Sequence, residues 1–121
     1  VVNSEYRESE NKRISAEATG FYPNPPIAKL LINFGPKFLE HFKFALGTYW
    51  VLDTDYESYS IVYSCTEIFG LYSTEFLWIL TREKVYPEDK LQNLINYVVE
   101  VVGYPRERIR FRTKQGDDCI Y

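Results

Sequence analysis

The chain has 121 residues and a mass of 14.3 kDa, which predicts one domain over residues 1–121 with one hydrophobic core. With 45% hydrophobic and 26% charged residues it lies well outside the disordered class. A net charge of −3 gives no electrostatic footprint for nucleic acid, and no apolar run reaches the roughly 18 residues that a membrane-spanning helix needs.

Aromatic residues reach 17%, from 11 Tyr, 8 Phe and 2 Trp. There is no Met, and the chain opens Val-Val-Asn-Ser, which predicts a processed, truncated or partial chain. The two cysteines, Cys65 and Cys119, are too few for a disulfide framework. They can pair with each other, stay free, or have partners outside this sequence.

In chain order, Val1 to Arg7 reads as a short strand and Glu8 to Lys12 as a polar turn. Arg13 to Phe21 alternates apolar with polar residues, the mark of a half-buried strand. Pro23, Pro25 and Pro26 end it, because proline donates nothing to a ladder. Ala28 to Phe34 is a further strand with Leu30, Ile32 and Phe34 on one face, closed by Gly35-Pro36. Lys37 to Ala45 fits one helical turn or a long aromatic loop, and the loop is the preferred reading.

Three strands then follow at turn-length spacing: Thr48 to Asp53, Tyr59 to Thr66 and Thr74 to Arg82. Gaps this short join antiparallel neighbours and predict a meander rather than βαβ units. Pro87, Glu88 and Asp89 open the one convincing helix, since proline tolerates the first turn and carboxylates favour the positive end of the dipole. Leu91, Leu94, Ile95, Val98, Val99 and Val102 give it one apolar stripe, and Gly103 and Pro105 stop it. Arg106 to Thr113 alternates arginines with Ile109 and Phe111 and reads as a final strand. The sum is an all-β protein with one docked helix.

Few residues offer chemistry. His41 is the sole histidine and the cysteines are far apart, so no zinc-type spacing exists and a solvated loop histidine explains it. No base is paired with a serine or cysteine nucleophile, and the six glycines are scattered without a phosphate-cradling motif. Asp53, Asp55 and Glu57 offer a conceivable glycosidase pair, but carboxylates at a strand end more simply organise a turn. The arginines at 106, 108, 110 and 112 fit a solvated outer face. What remains is the aromatic excess. Phe76, Trp78 and Leu80 share one face of their strand, while Leu77 and Ile79 share the other, so both faces need cover. The helix stripe covers one, and a curled or closed sheet encloses the other around packed side chains or a ligand. Arg82, in phase with Trp78, places a cation at the end of that interior, which fits a plug stacked on a ring.

The strings Tyr49-Trp50-Val51-Leu52-Asp53-Thr54-Asp55-Tyr56, Tyr63-Ser64-Cys65 and Phe76-Leu77-Trp78-Ile79-Leu80-Thr81-Arg82 resemble the lipocalins, in particular their apolipoprotein D, bilin-binding and Lazarillo-like branch. Thr54-Asp55-Tyr56 resembles the second signature of that family, after its strand F, and Arg82 the third, near the end of its strand H. Ala16 to Phe34 is similar to its strands D and E. The resemblance is strongest over residues 48 to 82. The first signature, Gly-x-Trp on strand A, has no counterpart, since Gly47-Thr48-Tyr49-Trp50 falls on strand F.

The resemblance implies an antiparallel up-and-down barrel, incomplete or open because strands A and B are lacking, with one C-terminal helix packed outside. In the family the arginine matching Arg82 stacks on the tryptophan of the first signature, so here the plug lacks its ring. Cysteines placed like Cys65 and Cys119 pair with upstream partners, which predicts that these two are not bonded to each other. The implied function is carriage of a small hydrophobic ligand (a lipid, steroid, retinoid or bilin) by a secreted, non-enzymatic protein without a metal or resident cofactor. Its lining is expected to comprise Leu30, Ile32, Phe34, Tyr49, Val62, Phe76, Trp78 and Leu80, with Cys65 facing outward. Trp78 matches a pocket tryptophan of that branch. The alternative is a fragment that acts, if at all, as a structural or interaction piece through open strand edges.

Overall fold

The computed structural model describes residues 2–21, 27–33, 46–68 and 70–109. The prolines at 23, 25 and 26, the segment 37–45 with His41, and also Phe34, Arg110, Phe111, Arg112 and Cys119 lie outside the described residues.

Polar–apolar alternation at the start of the chain forms a two-stranded ribbon of β1 (Val2–Arg7) and β2 (Lys12–Glu17). They pair antiparallel from Val2 opposite Glu17 to Arg7 opposite Lys12, across a 3-10 turn at Glu8–Glu10. The single strand expected from Arg13 to Phe21 is therefore two. At Ala18, which is buried, the chain leaves the ribbon, and β3 (Thr19–Phe21) joins a different sheet. Alternation continues through the break, so nothing local in the sequence marks it.

The second sheet has five strands in the order β3, β4 (Lys29–Asn33), β5 (Leu46–Thr54), β6 (Tyr59–Ile68) and β7 (Tyr72–Thr81). All neighbours are antiparallel, so the expected meander is present, and among the described residues the sheet is not closed into a barrel. The β6–β7 register runs unbroken from Tyr59 opposite Thr81 to Ile68 opposite Tyr72. Between β5 and β6 it shifts by one residue between Val51 and Asp53, a bulge that adds local twist. Gly47 marks a close approach of β4, β5 and β6: a Cβ there would stand 3.1 Å from Thr66 Oγ1 and 3.7 Å from Ile32 Cγ1.

The helix α1 (Glu88–Glu100) follows Pro87, with Glu88 and Asp89 in its first turn. It ends where Gly103 turns to φ +81° and Tyr104 N–H closes on the Val98 carbonyl at 3.1 Å. Val98 of its stripe is fully buried, and Val102 is exposed. Of the strand expected from Arg106 to Thr113 only residues 106–109 are described, and they are not in a strand. Arg106–Arg108 form a 3-10 turn, with Arg108 N–H bonded to the Pro105 carbonyl and Ile109 N–H to that of Arg106. Arg106 and Arg108 accordingly do not share a strand face. Arg106 reaches back to Asn96 Oδ1 at 2.9 Å, and Arg108 pairs with Glu75 Oε2 at 3.0 Å.

That ion pair identifies the covered side of the sheet. Glu75 shares its face with Leu77, Ile79 and, through the β6 pairing, Ile61 and Tyr63. Ile61 is fully buried, so this face needs an apolar cover, and Val98 needs an apolar surface to meet. Arg108 ties the chain just after the helix to that same face. The segment that follows the helix is thus tied to the face opposite Trp78.

Candidate functional site

Strand pairing decides which predicted residues share the other face, because directly opposed residues in a ladder point the same way. Leu30 stands opposite Tyr49, and Ile32 opposite Gly47. Val51, in phase with Tyr49, stands opposite Val62. Val62 stands opposite Trp78, Ser64 opposite Phe76 and Ser60 opposite Leu80. Leu30, Ile32, Tyr49, Val62, Phe76, Trp78 and Leu80 therefore lie on one continuous face, with Cys65 on the reverse.

Ile32 and Val62 form the floor of this face, each 1% exposed. Tyr49, Leu30 and Trp78 are half-buried. Burial pushes the Tyr49 hydroxyl above its ordinary pKa, because its charged form would lose water. Phe76 lies flat against Trp78, ring centroids 5.4 Å apart and planes 12° from parallel. Phe76 is nevertheless 50% exposed and Leu80 46%. An enclosed calyx would bury both. They stay open because β7 is the last strand of the sheet among the described residues. Val51 belongs to the face but was missed from the sequence, although its parity with Tyr49 could have placed it. Ser64, 5% exposed, was also missed, and a lone serine gives no such signal.

At the β5–β6 end, the three signature residues build a turn. Asp55 Oδ1 accepts from the backbone N–H groups of Glu57, Ser58 and Tyr59 at 3.0, 2.7 and 3.0 Å, and Asp55 Oδ2 accepts from Ser58 Oγ. Thr54 Oγ1 donates to the Tyr59 carbonyl at 2.7 Å and accepts from Tyr56 N–H at 3.0 Å. Tyr56 sits at φ +64°, a left-handed conformation that the neighbouring bonds impose on a non-glycine residue. These donors hold the Asp55 carboxyl far below the usual carboxylate range, the Ser58 hydroxyl first among them. Asp55 is thus a turn device, as expected, Glu57 joins the turn through its backbone N–H, and Asp53 is committed to the Tyr59 hydroxyl at 2.7 Å.

Beside this turn lies a cleft of about 310 Å³ lined by Thr54, Tyr56, Ser58, Tyr59, Ser60, Leu80, Thr81 and Arg82. Arg82 is exposed, and its Nη2 donates to the Tyr56 carbonyl at a long 3.5 Å. Its contact is with backbone rather than with a ring.

The reverse face carries a second cluster that the sequence did not announce. Trp50 tilts against Tyr63 with centroids 6.1 Å apart, and Lys29 Nζ stands 4.2 Å over the Trp50 ring. Cys65 has no disulfide partner among the described residues, and Thr48 Oγ1 holds both its backbone N–H and its carbonyl at 2.8 Å. Burial, followed by the Glu75 charge, pushes the Tyr63 hydroxyl up to about 12. The hydrogen bond to Asp53 does the same to Tyr59.

Both tyrosines are raised in the folded state, so each adds stability that is complete below pH 10 and lost as pH climbs through about 12. Absorbance titration at alkaline pH is expected to show a late-ionising class. Asp53→Asn should return Tyr59 alone toward 10. An unchanged late class in that variant would refute the Tyr59–Asp53 link.

Comparison with known proteins now bears on these features. Residues 31–116 match the model of the lipocalin / cytosolic fatty-acid binding protein family. The chain belongs to that family. It is 48% identical over 95 residues to apolipoprotein D of Mus musculus and 39% identical over 95 residues to that of Cavia porcellus. Each match covers 78% of this chain and 47% of the relative, so the chain spans about half the length of these relatives. It is also 45% identical over 60 residues to the Lazarillo protein of Schistocerca americana, covering 41% of this chain and 27% of that protein. The open antiparallel sheet with one helix accords with membership of this lipocalin branch.

Proposed function

We propose that this chain is a non-enzymatic carrier that binds a small hydrophobic molecule against Leu30, Ile32, Tyr49, Val62, Phe76, Trp78 and Leu80, with Phe34 continuing the set by parity. The observation that carries the reading is the Phe76–Trp78 stack, left half-open beside the buried floor of Ile32 and Val62. Apolar surface left in water is unfavourable, and covering it returns about 25 cal/mol per Å². A ligand that removes roughly 200 Å² from water therefore gains about 5 kcal/mol before its own ordering costs. Stacking on the Trp78 ring adds to this.

Membership of the family and the apolipoprotein D relatives support carriage of hydrophobic cargo over catalysis. The described carboxylates point the same way, since Asp53 and Asp55 are bound up in the turn. Lipids, steroids, retinoids and bilins are the classes that suit an aromatic face, and an extracellular setting suits such a carrier.

The test uses the two tryptophans' placement on opposite faces. Trp50→Phe leaves Trp78 as the only indole, and that variant is titrated with a retinoid, a fatty acid, a steroid and biliverdin. Saturable quenching by at least one of them is expected, and Trp78→Ala should abolish the binding seen by a ligand-centred signal. A folded protein that responds to none of the four would reject the carrier reading.

A further inference from the structure

The face that carries Trp78 is apolar at its centre and polar toward one end. Along β6 it presents Ser60, Val62, Ser64 and Thr66 in turn. Ser64 stands opposite Phe76 on β7, and Thr66 opposite Thr74. On the other flank Trp50 pairs with Tyr63, which brings Tyr49 level with Ser64. Thr48 Oγ1, bonded to the Cys65 backbone, carries that register one residue further. Gly47 then meets Thr66, whose Oγ1 would stand 3.1 Å from a Cβ at that position. The strands on both sides of β6 are described, so the burial of Ser64 belongs to the interior of the sheet and not to an edge.

Ser64 is 5% exposed, and among the described residues nothing offers its hydroxyl a hydrogen bond. The hydroxyls of Tyr49 and Thr66, on the same face, also have no partner among the described residues. A hydroxyl taken out of water without a replacement partner is costly, and native interiors avoid it. Burial keeps the Tyr49 hydroxyl protonated and able to donate. A few such groups in an apolar site fix the orientation of what binds there.

We propose that the ligand is amphiphilic, with an uncharged hydroxyl or carbonyl oxygen held at Ser64, Tyr49 and Thr66 and its apolar body lying on Val62 and Trp78. This rests on the carrier reading and narrows it to a class of ligand. A hydroxyl side chain both donates and accepts, so an alcohol and a ketone each satisfy it. A carboxylate does not suit the place, because a buried charge needs an opposite charge beside it. Among the described residues of this face the cation is Arg82, which follows Phe76 by roughly 20 Å of strand. Lys29 lies over Trp50 on the reverse face.

The Trp50→Phe chain is titrated with retinol, with axerophthene, which has hydrogen in place of the hydroxyl, and with retinoic acid. The three share one polyene skeleton, so quenching of Trp78 reports on each. Retinol is expected to bind about tenfold more tightly than either of the others. Ser64→Ala should bring the ratio of retinol to axerophthene affinity within about twofold of unity, and Tyr49→Phe should lower it in part. Without ligand, Ser64→Ala should melt no lower than its parent, because no hydrogen bond is lost. Equal binding of retinol and axerophthene, retinoic acid as tight as retinol, a ratio that survives Ser64→Ala, or a lower melting temperature of that unliganded variant would each overturn the polar anchor. A folded chain that binds none of the three overturns it at an earlier step, the carriage of an apolar body on Trp78, and is told apart from those failures by the silent axerophthene titration.

Discussion

Asp55→Asn is expected to lower the melting temperature by several degrees at neutral pH and to converge with wild type in strong acid. Four donors converge on this carboxylate, three from the backbone of the turn and one from Ser58. They favour its charged form, so its pKa in the folded chain lies below the 3.8 of a free aspartate. A carboxyl depressed in this way stabilises the fold fully above about pH 4–5, and that contribution is lost as pH falls through the folded pKa. Asparagine keeps one acceptor and loses the charge at every pH. The gap between the two proteins should therefore be widest near pH 7 and shrink steadily as acid protonates Asp55 in wild type. The site is exposed, so added salt should narrow the gap at neutral pH. Thermal melts from pH 7 to pH 2 check this; a gap constant with pH would show that turn geometry alone, not charge, fixes the β5–β6 connection.

How far this arrangement was readable depends on what each signal measures. Alternation with period two placed the seven described ligand-face candidates together, because strand pairing preserves parity from β4 to β7. The helix was legible from its stripe and from Gly103, whose left-handed conformation ends it. Ala18 was not legible as a break, because the sequence on either side keeps one pattern while its pairing partner changes from β1 to β4. Of the strand expected from Arg106 to Thr113, the described start is a 3-10 turn at Arg106–Arg108, and residues 110–113 lie outside the described ones. Arg-x-Arg alternation fits a strand, yet here the two arginines are drawn to Asn96 and Glu75, partners 10 and 33 residues away. Parity also cannot report exposure. That Phe76 and Leu80 stay half-open depends on what lies beyond the β7 edge. Nor did any local pattern announce the cleft beside Arg82, which gathers residues from the β5–β6 turn and the end of β7.

Ile61→Ala should lower the unfolding free energy by about 2–5 kcal/mol, and Val62→Ala by about 2 kcal/mol. Both residues are adjacent on β6 and essentially without solvent exposure, Ile61 at 0% and Val62 at 1%. Their side chains point to opposite faces, so one strand sets two different environments side by side. Ile61 faces the side tied down by Arg108 and Glu75, where the loss of three side-chain carbons leaves a cavity. Against a total stability of roughly 5–15 kcal/mol, that is among the largest effects one substitution can have. Val62 faces Trp78 and forms the floor on which the proposed ligand rests. Truncating it deepens that floor and should alter ligand affinity, while Ile61→Ala should leave the affinity of the folded fraction within about twofold of wild type. Denaturant unfolding paired with fluorescence titration in the Trp50→Phe background separates the two effects. If Ile61→Ala weakened binding as much as Val62→Ala did, the division of labour between the two faces of the sheet would be wrong.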